Sequence, residues 1–150
     1  MVVMLYLFRP IVNTKKSWID KSYIITNIAL KKQLKIIWHK IVLHRAVDST
    51  HLHRPTYAHM LCYSHDGTTG AATPDVIPTS TKSYKNTTSP EAAQRALEFV
   101  NRWSKVKTVV DPFVGRGTIP LLAQQIGLFS IGIDIDEGQC ALARKAIKKG

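Results

Sequence analysis

What the chain lacks narrows its class before any motif is read. It has two cysteines, Cys62 and Cys140, far apart and in no C-x-x-C pair. That excludes a disulfide framework and a zinc ribbon, and a reducing, cytoplasmic setting is expected. Long apolar runs are missing too. The run at Met1 to Phe8 stops at Arg9-Pro10, well short of the roughly 20 residues that cross a bilayer. No basic segment or small-residue cleavage site frames it, so neither a membrane partner nor a secretory leader is expected. Acids are scarce, at 10 Asp and Glu against 21 Lys and Arg, giving a net charge of +11. Such an excess predicts a polyanionic partner, nucleic acid first, because each neutralised phosphate releases counterions. The histidines come with no acid or cysteine at ligand spacing, and no metal site is expected.

What is present alternates between strand-like and helix-like patterns. The apolar run at 2–8 predicts a parallel strand covered on both faces. A polar connector follows, then a helix over 21–34 with Lys31, Lys32 and Lys35 near its end, where cations suit the helix dipole. Leu34 to Leu43, rich in β-branched residues, and Tyr57 to Ser64 predict two strands that pair antiparallel. From His65 to Ser89 no period is visible, and Gly67, Gly70, Pro74 and Pro78 punctuate the segment. Ser89-Pro90-Glu91 is a helix start, a serine cap followed by proline at the first helical position. That helix turns Ala93, Ala96, Leu97, Val100 and Trp103 to one side. Val106 to Asp111 predicts a strand, Thr118 to Ile126 a helix ended by Gly127, Phe129 to Asp134 a strand, and Glu137 to Lys149 a helix. The alternation predicts an α/β fold.

The chemistry concentrates in Val109-Val110-Asp111-Pro112-Phe113-Val114-Gly115-Arg116-Gly117-Thr118, answered by Ile131-Gly132-Ile133-Asp134-Ile135-Asp136. A strand, a glycine turn, a helix and a strand ending in acid is how an α/β domain holds a nucleoside cofactor. Gly115 and Gly117 allow a tight turn and close approach of a ligand, and Thr118 is placed to cap the helix behind them. Asp134 lies 17 residues beyond Gly117, close to the roughly 20 expected of an acid that accepts from ribose hydroxyls. A phosphate-binding loop would carry G-x-x-x-x-G-K-[ST], and no Lys-Ser or Lys-Thr follows these glycines. A dinucleotide fold would carry G-x-G-x-x-G, and position 120 is proline. Asp111 also speaks against pyrophosphate, because a carboxylate repels it. It suits a cationic ligand, such as the amino group and sulfonium of S-adenosylmethionine.

Asp111-Pro112-Phe113-Val114-Gly115-Arg116-Gly117-Thr118 with Ile131-Gly132-Ile133-Asp134 resembles the cofactor motifs of class I S-adenosylmethionine-dependent methyltransferases. The likeness is closest to DNA amino-methyltransferases and related bacterial methylases of permuted order, in which the catalytic half precedes the cofactor half. Earlier stretches, Trp18-Ile19-Asp20-Lys21, Trp38 to Leu43 and Arg54 to Leu61, resemble the later sheet strands of such methylases. The resemblance implies that Asp111, Phe113, Gly115 and Gly117 line the methionine end of S-adenosyl-L-methionine, with Thr118 opening the helix behind. It implies that Asp134 takes the ribose hydroxyls and Ile135 packs on adenine. Asn86 and Thr88 match in position a segment that touches the cofactor's carboxylate. The family's catalytic Asp/Asn-Pro-Pro-aromatic loop has no counterpart in the sequence. The catalytic residue is therefore unassigned, and an N-terminally truncated or diverged methylase is expected.

The expectation is a Rossmann-like methyltransferase fold, α/β, with a mostly parallel sheet, an antiparallel strand pair at one edge and helices on both faces. Residues 1–150 are read as one domain: catalytic-half strands at 1–64, an irregular loop at 65–89, and a cofactor half at 90–150. The expected activity is methyl transfer to an amino group of a base in DNA or RNA, DNA before RNA. The alternative is an incomplete methyltransferase that binds cofactor or nucleic acid and transfers nothing. Trp18, Tyr57, Tyr63 and Tyr84 are candidates to stack on an extruded base. Lys15-Lys16 and Lys31-Lys32 are candidates for phosphate contacts.

Overall fold

The computed structural model describes residues 3–8, 11–12, 18–50, 55–67, 73–78 and 89–149. It resolves into two compact units, residues 1–80 and 81–150, and the division falls inside the expected irregular segment.

In the first unit, β1 (Val3–Phe8), β5 (Tyr57–Ser64), β4 (Lys35–Leu43) and β6 (Val76–Ile77) form a sheet in the order β1-β5-β4-β6. β2 (Ile11–Val12) and β3 (Trp18–Ile19) form a separate short antiparallel ladder. The expected antiparallel pairing of β4 and β5 is present, with Ile41 opposite His59 and a register shift between Ile36 and Trp38. One expectation is corrected here. The run at 2–8 does not join a parallel neighbour; β1 runs antiparallel to β5, Leu5 opposite Cys62. An apolar run records burial but not the direction of the partner strand, which lies some fifty residues away in the chain. The irregular segment also holds an element that went unread, β6, parallel to β4.

Helix α1 (Lys21–Lys31) starts where Asp20 Oδ1 accepts from the Ser22 and Tyr23 N–H groups, at 2.8 and 3.2 Å. These bonds, with one from the Ser22 hydroxyl first among them, hold the Asp20 carboxyl below its ordinary value. The helix ends before the expected residue 34. Gln33 takes a left-handed φ of 59°, and Leu34 N–H reaches back to the Ala29 carbonyl, the reversal that closes many helices. Ala29, Leu34, Leu61 and Tyr63 form a buried cluster with Ile25 against it. Tyr63 hydroxyl meets Thr26 Oγ1 at 2.7 Å. Lys40 is buried, with its ammonium bonded to the carbonyls of Thr73 and Pro74 and to Asp75, and lying over the Trp38 ring. A buried cation needs such partners, and these fix the chain entering β6 beside β4.

In the second unit, α2 (Pro90–Trp103) begins at Ser89, whose hydroxyl accepts from Ala92 N–H, and Pro90 occupies its first turn. Ala92, Ala93, Ala96, Leu97 and Val100 are its buried stripe. β7 (Thr108–Asp111) and β8 (Phe129–Gly132) pair parallel, with α3 (Thr118–Gln125) crossing between them and α4 (Glu137–Lys149) following. Leu97, Ala123 and Leu128 are the core, flanked by Val109, Ile119, Leu122 and Ile126. Gly127, at φ 75°, ends α3 as expected, and Leu128 N–H bonds back to the Ala123 carbonyl.

Candidate functional site: the glycine loop and the end of β8

The loop from β7 to α3 is built by backbone bonds that its sequence makes possible. Ile133 N–H donates to the Asp111 carbonyl and Val114 N–H to the Ile133 carbonyl, each at 2.8 Å. The loop is thereby laced to the end of β8. Gly115 and Gly117 sit at φ 49° and 85°, in the left-handed region that side chains resist. Gly117 is also buried against α4. A Cβ there would stand 2.9 Å from both Cα and Cβ of Ala143. At Gly115 the nearest heavy atom to such a Cβ would be 3.9 Å away, so open room remains beside the backbone, as close approach of a ligand requires. Gly132 is needed for a third reason, because a Cβ on it would strike Val114 Cγ2 at 2.5 Å.

Asp134 ties the constellation together. Its Oδ2 accepts from Gly115 N–H at 2.9 Å and its Oδ1 from Asp136 N–H at 3.0 Å. The bonds from Asp136 and Gly115, in that order, hold its carboxyl below the ordinary value of 3.8. Asp111, at the end of β7, is perturbed the other way. Its Oδ1 accepts from Phe113 N–H at 3.0 Å, but burial raises it above 3.8, and the Asp134 charge adds to the rise. Two carboxylates flank one loop, one held anionic by donors and one partly stripped of water.

The structure thus brings Asp111, Gly115, Gly117 and Asp134 into one constellation. Phe113 and Ile135 stand almost wholly exposed beside it. Thr118 requires a correction. It is the first helical residue, while Gly117 holds the cap position, and no side-chain bond caps α3. The left-handed turn at Gly117 uses up the position that a capping hydroxyl would need. Asn86 and Thr88 lie outside the described residues, as do Tyr84, His51, His53 and the Lys15-Lys16 pair. Tyr63 is corrected as a base-stacking candidate, since it is fully buried and bonded to Thr26. Cys62 is core, its thiol pushed up to about 12 by burial.

Three features went unread. Val114 is buried and packs beneath Gly132; nothing in its type announces that. Asp136 Oδ1 accepts from Gln139 N–H at the head of α4, and the spacing Asp-x-x-Gln was the available signal. His39 and His59, read as scattered, meet across β4 and β5 with Nε2 and Nδ1 2.8 Å apart. Among the described residues no group of three or more His, Cys, Asp or Glu is placed to hold a metal ion.

Residues 11–145 match the family model N6_N4_Mtase, described as DNA methylase. Over 52 residues the chain is 46% identical to the type II methyltransferase M.BsoBI of Geobacillus stearothermophilus, a stretch that covers 35% of this chain and 10% of that protein. The chain therefore spans about a tenth of the curated relative it matches. TTHA0409 of Thermus thermophilus, described as a DNA modification methylase and solved with S-adenosyl-L-methionine, superposes with a TM-score of 0.74 at 14% identity, over 98% of this chain and 69% of that one. The M1.HpyAVI–SAM complex gives a TM-score of 0.67 at 13% identity, over 97% and 74%. These neighbours establish the α/β methyltransferase fold. With nine-tenths of its residues inside the family match, the chain belongs to the N6_N4_Mtase family of DNA methylases.

Proposed function

We propose that this chain carries the cofactor half of an S-adenosyl-L-methionine-dependent methyltransferase acting on an amino group of a base in DNA, with residues 1–150 as one methyltransferase-like domain. The carrying observation is the bond from Gly115 N–H to Asp134 Oδ2, which fixes an acid against an open glycine backbone at the end of two parallel strands. Ligands of open α/β sheets lie beyond the carboxyl ends of the strands. The residues fit this cofactor: the Asp111 carboxylate suits its cationic groups, Asp134 is an acceptor for its ribose hydroxyls, and the space at Gly115 admits its body. When bound, S-adenosyl-L-methionine supplies an electrophilic methyl group on a positively charged sulfur. Asp111, Phe113, Gly115 and Gly117 hold the methionine end, Asp134 the ribose and Ile135 the adenine, with Thr118 opening the helix behind and Asn86 and Thr88 assigned to the carboxylate. The protein's part in transfer is positioning and fixed charge. The net charge of +11 supports a polyanionic partner, and the family favours DNA over RNA.

The sequence contains no Asp/Asn-Pro-Pro-aromatic tetrapeptide. That favours a second reading in which these residues bind cofactor or nucleic acid and transfer no methyl. Calorimetric titration with S-adenosylhomocysteine, on the wild type and on Asp134→Ala, tests the site. Binding weakened at least about tenfold in a variant with an unchanged circular dichroism spectrum is expected, as for the loss of a charged hydrogen-bond partner. No binding by the folded wild type sinks the cofactor reading. Methyl transfer to DNA by the wild type, or its absence despite binding, separates the two readings.

A further inference from the structure

The parallel pair of the second unit is covered on one side only. Leu128 is buried in the core with Leu97 of α2 and Ala123 of α3, and a Cβ on Gly132 would meet Val114 and, in α3, Pro120. Side chains alternate along a strand, so Phe129, Ile131 and Ile133 face the other way. They are 76, 54 and 52% exposed, and Val110, opposite Ile131 in the register, is 56% exposed. Among the described residues β7 and β8 pair with each other alone. Parallel strands are found almost only in sheets with both faces covered, and helices cover them because their crossovers are helical. One exposed apolar side chain needs no explanation; four on one sheet face mark a surface that is covered in use. Phe129 to Ile133 span about 13 Å along the strand, the length of about two and a half helical turns. A helix laid there antiparallel to the strands, as α3 is on the covered side, would start beside Asp134 and Asp136. It would end beside Lys105 and Lys107, which lead into β7. Each end then meets the charge that a helix dipole favours.

We propose that this open face is the docking surface for an amphipathic α-helix, supplied by the part of the methyltransferase fold that these 150 residues do not contain. The chain spans 69% of TTHA0409, so about three tenths of that protein has no counterpart here. The apolar stripe of the docking helix lies on Val110, Phe129, Ile131 and Ile133, and its two ends match the acids and lysines at the two ends of the strands. A second copy of this chain fits less well, because each copy carries a net charge of +11 and like charges oppose association. The docking surface rests on the fold alone, so loss of the cofactor reading leaves it standing.

The probes are the part of TTHA0409 and, separately, the part of M1.HpyAVI that this chain does not match, each made as a soluble fusion. Calorimetric titration of the whole chain reads affinity, light scattering reads mass, and hydroxyl-radical labelling reads the exposure of single residues. In the chain alone, as a monomer, Phe129 and Ile131 are expected to label freely. At least one probe is expected to bind one to one and to reduce the labelling of both residues severalfold. Phe129→Thr combined with Ile131→Thr keeps a β-former at each position and is expected to weaken that binding at least about tenfold, as loss of a buried apolar centre does. Tyr23→Thr, at a comparably exposed aromatic site on α1, is expected to change nothing. Binding by neither probe, or binding indifferent to the double variant, overturns the proposal. Protection of Phe129 and Ile131 in the monomer by itself does the same, since the face is then already covered. Protection that grows with the mass of a dimer makes a second copy the occupant and also overturns it. If the double variant does not fold by circular dichroism, the labelling of the wild type with and without probe decides. Titration with S-adenosylhomocysteine alongside keeps the two readings apart, because its failure does not alter the outcome with the probes.

Discussion

The two units hold themselves together in opposite ways. In the first, β5 is buried from Ala58 to Ser64 between neighbours on both edges, and α1 closes over Leu61 and Tyr63. Its order comes from side chains that fill space. In the second, α2 and α3 cover one face of the parallel pair, and Val110, Phe129 and Ile131, which share the other face by register, are exposed. Beside its core at Leu97, Ala123 and Leu128, the loop and strand ends depend on places where side chains are missing: Gly117 under Ala143, Gly132 over Val114, open backbone at Gly115. The first unit should suffer most when atoms are removed, and the second when atoms are added.

Removing atoms is the larger test. Leu61 is fully buried in the α1 cluster, and Leu61→Ala is expected to cost about 3 kcal/mol, the transfer term plus the cavity left behind. Urea unfolding measures it. A cost below about 1 kcal/mol would mean that the first unit is loosely packed and would erase the contrast.

Adding one carbon comes next. Gly117→Ala meets both a left-handed φ and the backbone of α4, and about 2–3 kcal/mol is expected from strain and overpacking together. Gly115→Ala shares the φ but has free space, so about 1 kcal/mol is expected. Equal costs in the two variants would show that conformation alone sets the loop and that α4 does not press on it.

How much of this could be read from residues depends on range. The glycine loop, the serine cap of α2, the stop at Gly127 and the alternation of β7, α3, β8 and α4 are local, and local chemistry writes them plainly. The direction of β1, the presence of β6 and the meeting of His39 with His59 are decided by chain segments about twenty to sixty residues away, where no periodicity reports. Lys40 illustrates the limit: its partners at Thr73 to Asp75 lie in a segment whose composition signals only irregularity. Asp134 was legible as an acid at a strand end. Its second task, anchoring Gly115, was not, since a spacing rule says what an acid faces and nothing of what already holds it.

Acidification should separate the units by sign. Burial lowers His39 and His59 below their ordinary 6.5, with Asp20 opposing. The folded chain thus takes up fewer protons than the unfolded one. Stability from this pair is complete above about 6.5 and declines as pH falls through and below that value. Asp111 is shifted upward, so its charged form costs the fold at neutral pH, and that cost is relieved as pH falls. Asp134, shifted downward, withdraws its support only below about 3.8. Between about pH 7 and 5, hydrogen exchange corrected for intrinsic rates should therefore show loosening of β4 and β5 before β7 and β8. Simultaneous loosening would indicate that the histidine pair carries no stability of its own.

The smallest effect sharpens the contrast at the helix starts. Ser89 is buried and its hydroxyl accepts from Ala92 N–H at 3.4 Å, so Ser89→Ala should cost about 1 kcal/mol, as the loss of a helix cap does. Thr118 is also placed by sequence to cap its helix, yet it lies inside α3 and no side-chain bond caps that helix. Thr118→Ala exchanges a weak helix former for a strong one without breaking a cap, and a change within about 0.5 kcal/mol of zero is expected. Thermal melts of the two variants under one condition compare them directly. A loss at Thr118 as large as that at Ser89 would mean that its hydroxyl satisfies a loop donor after all, and that hydroxyls rather than missing side chains open both helices.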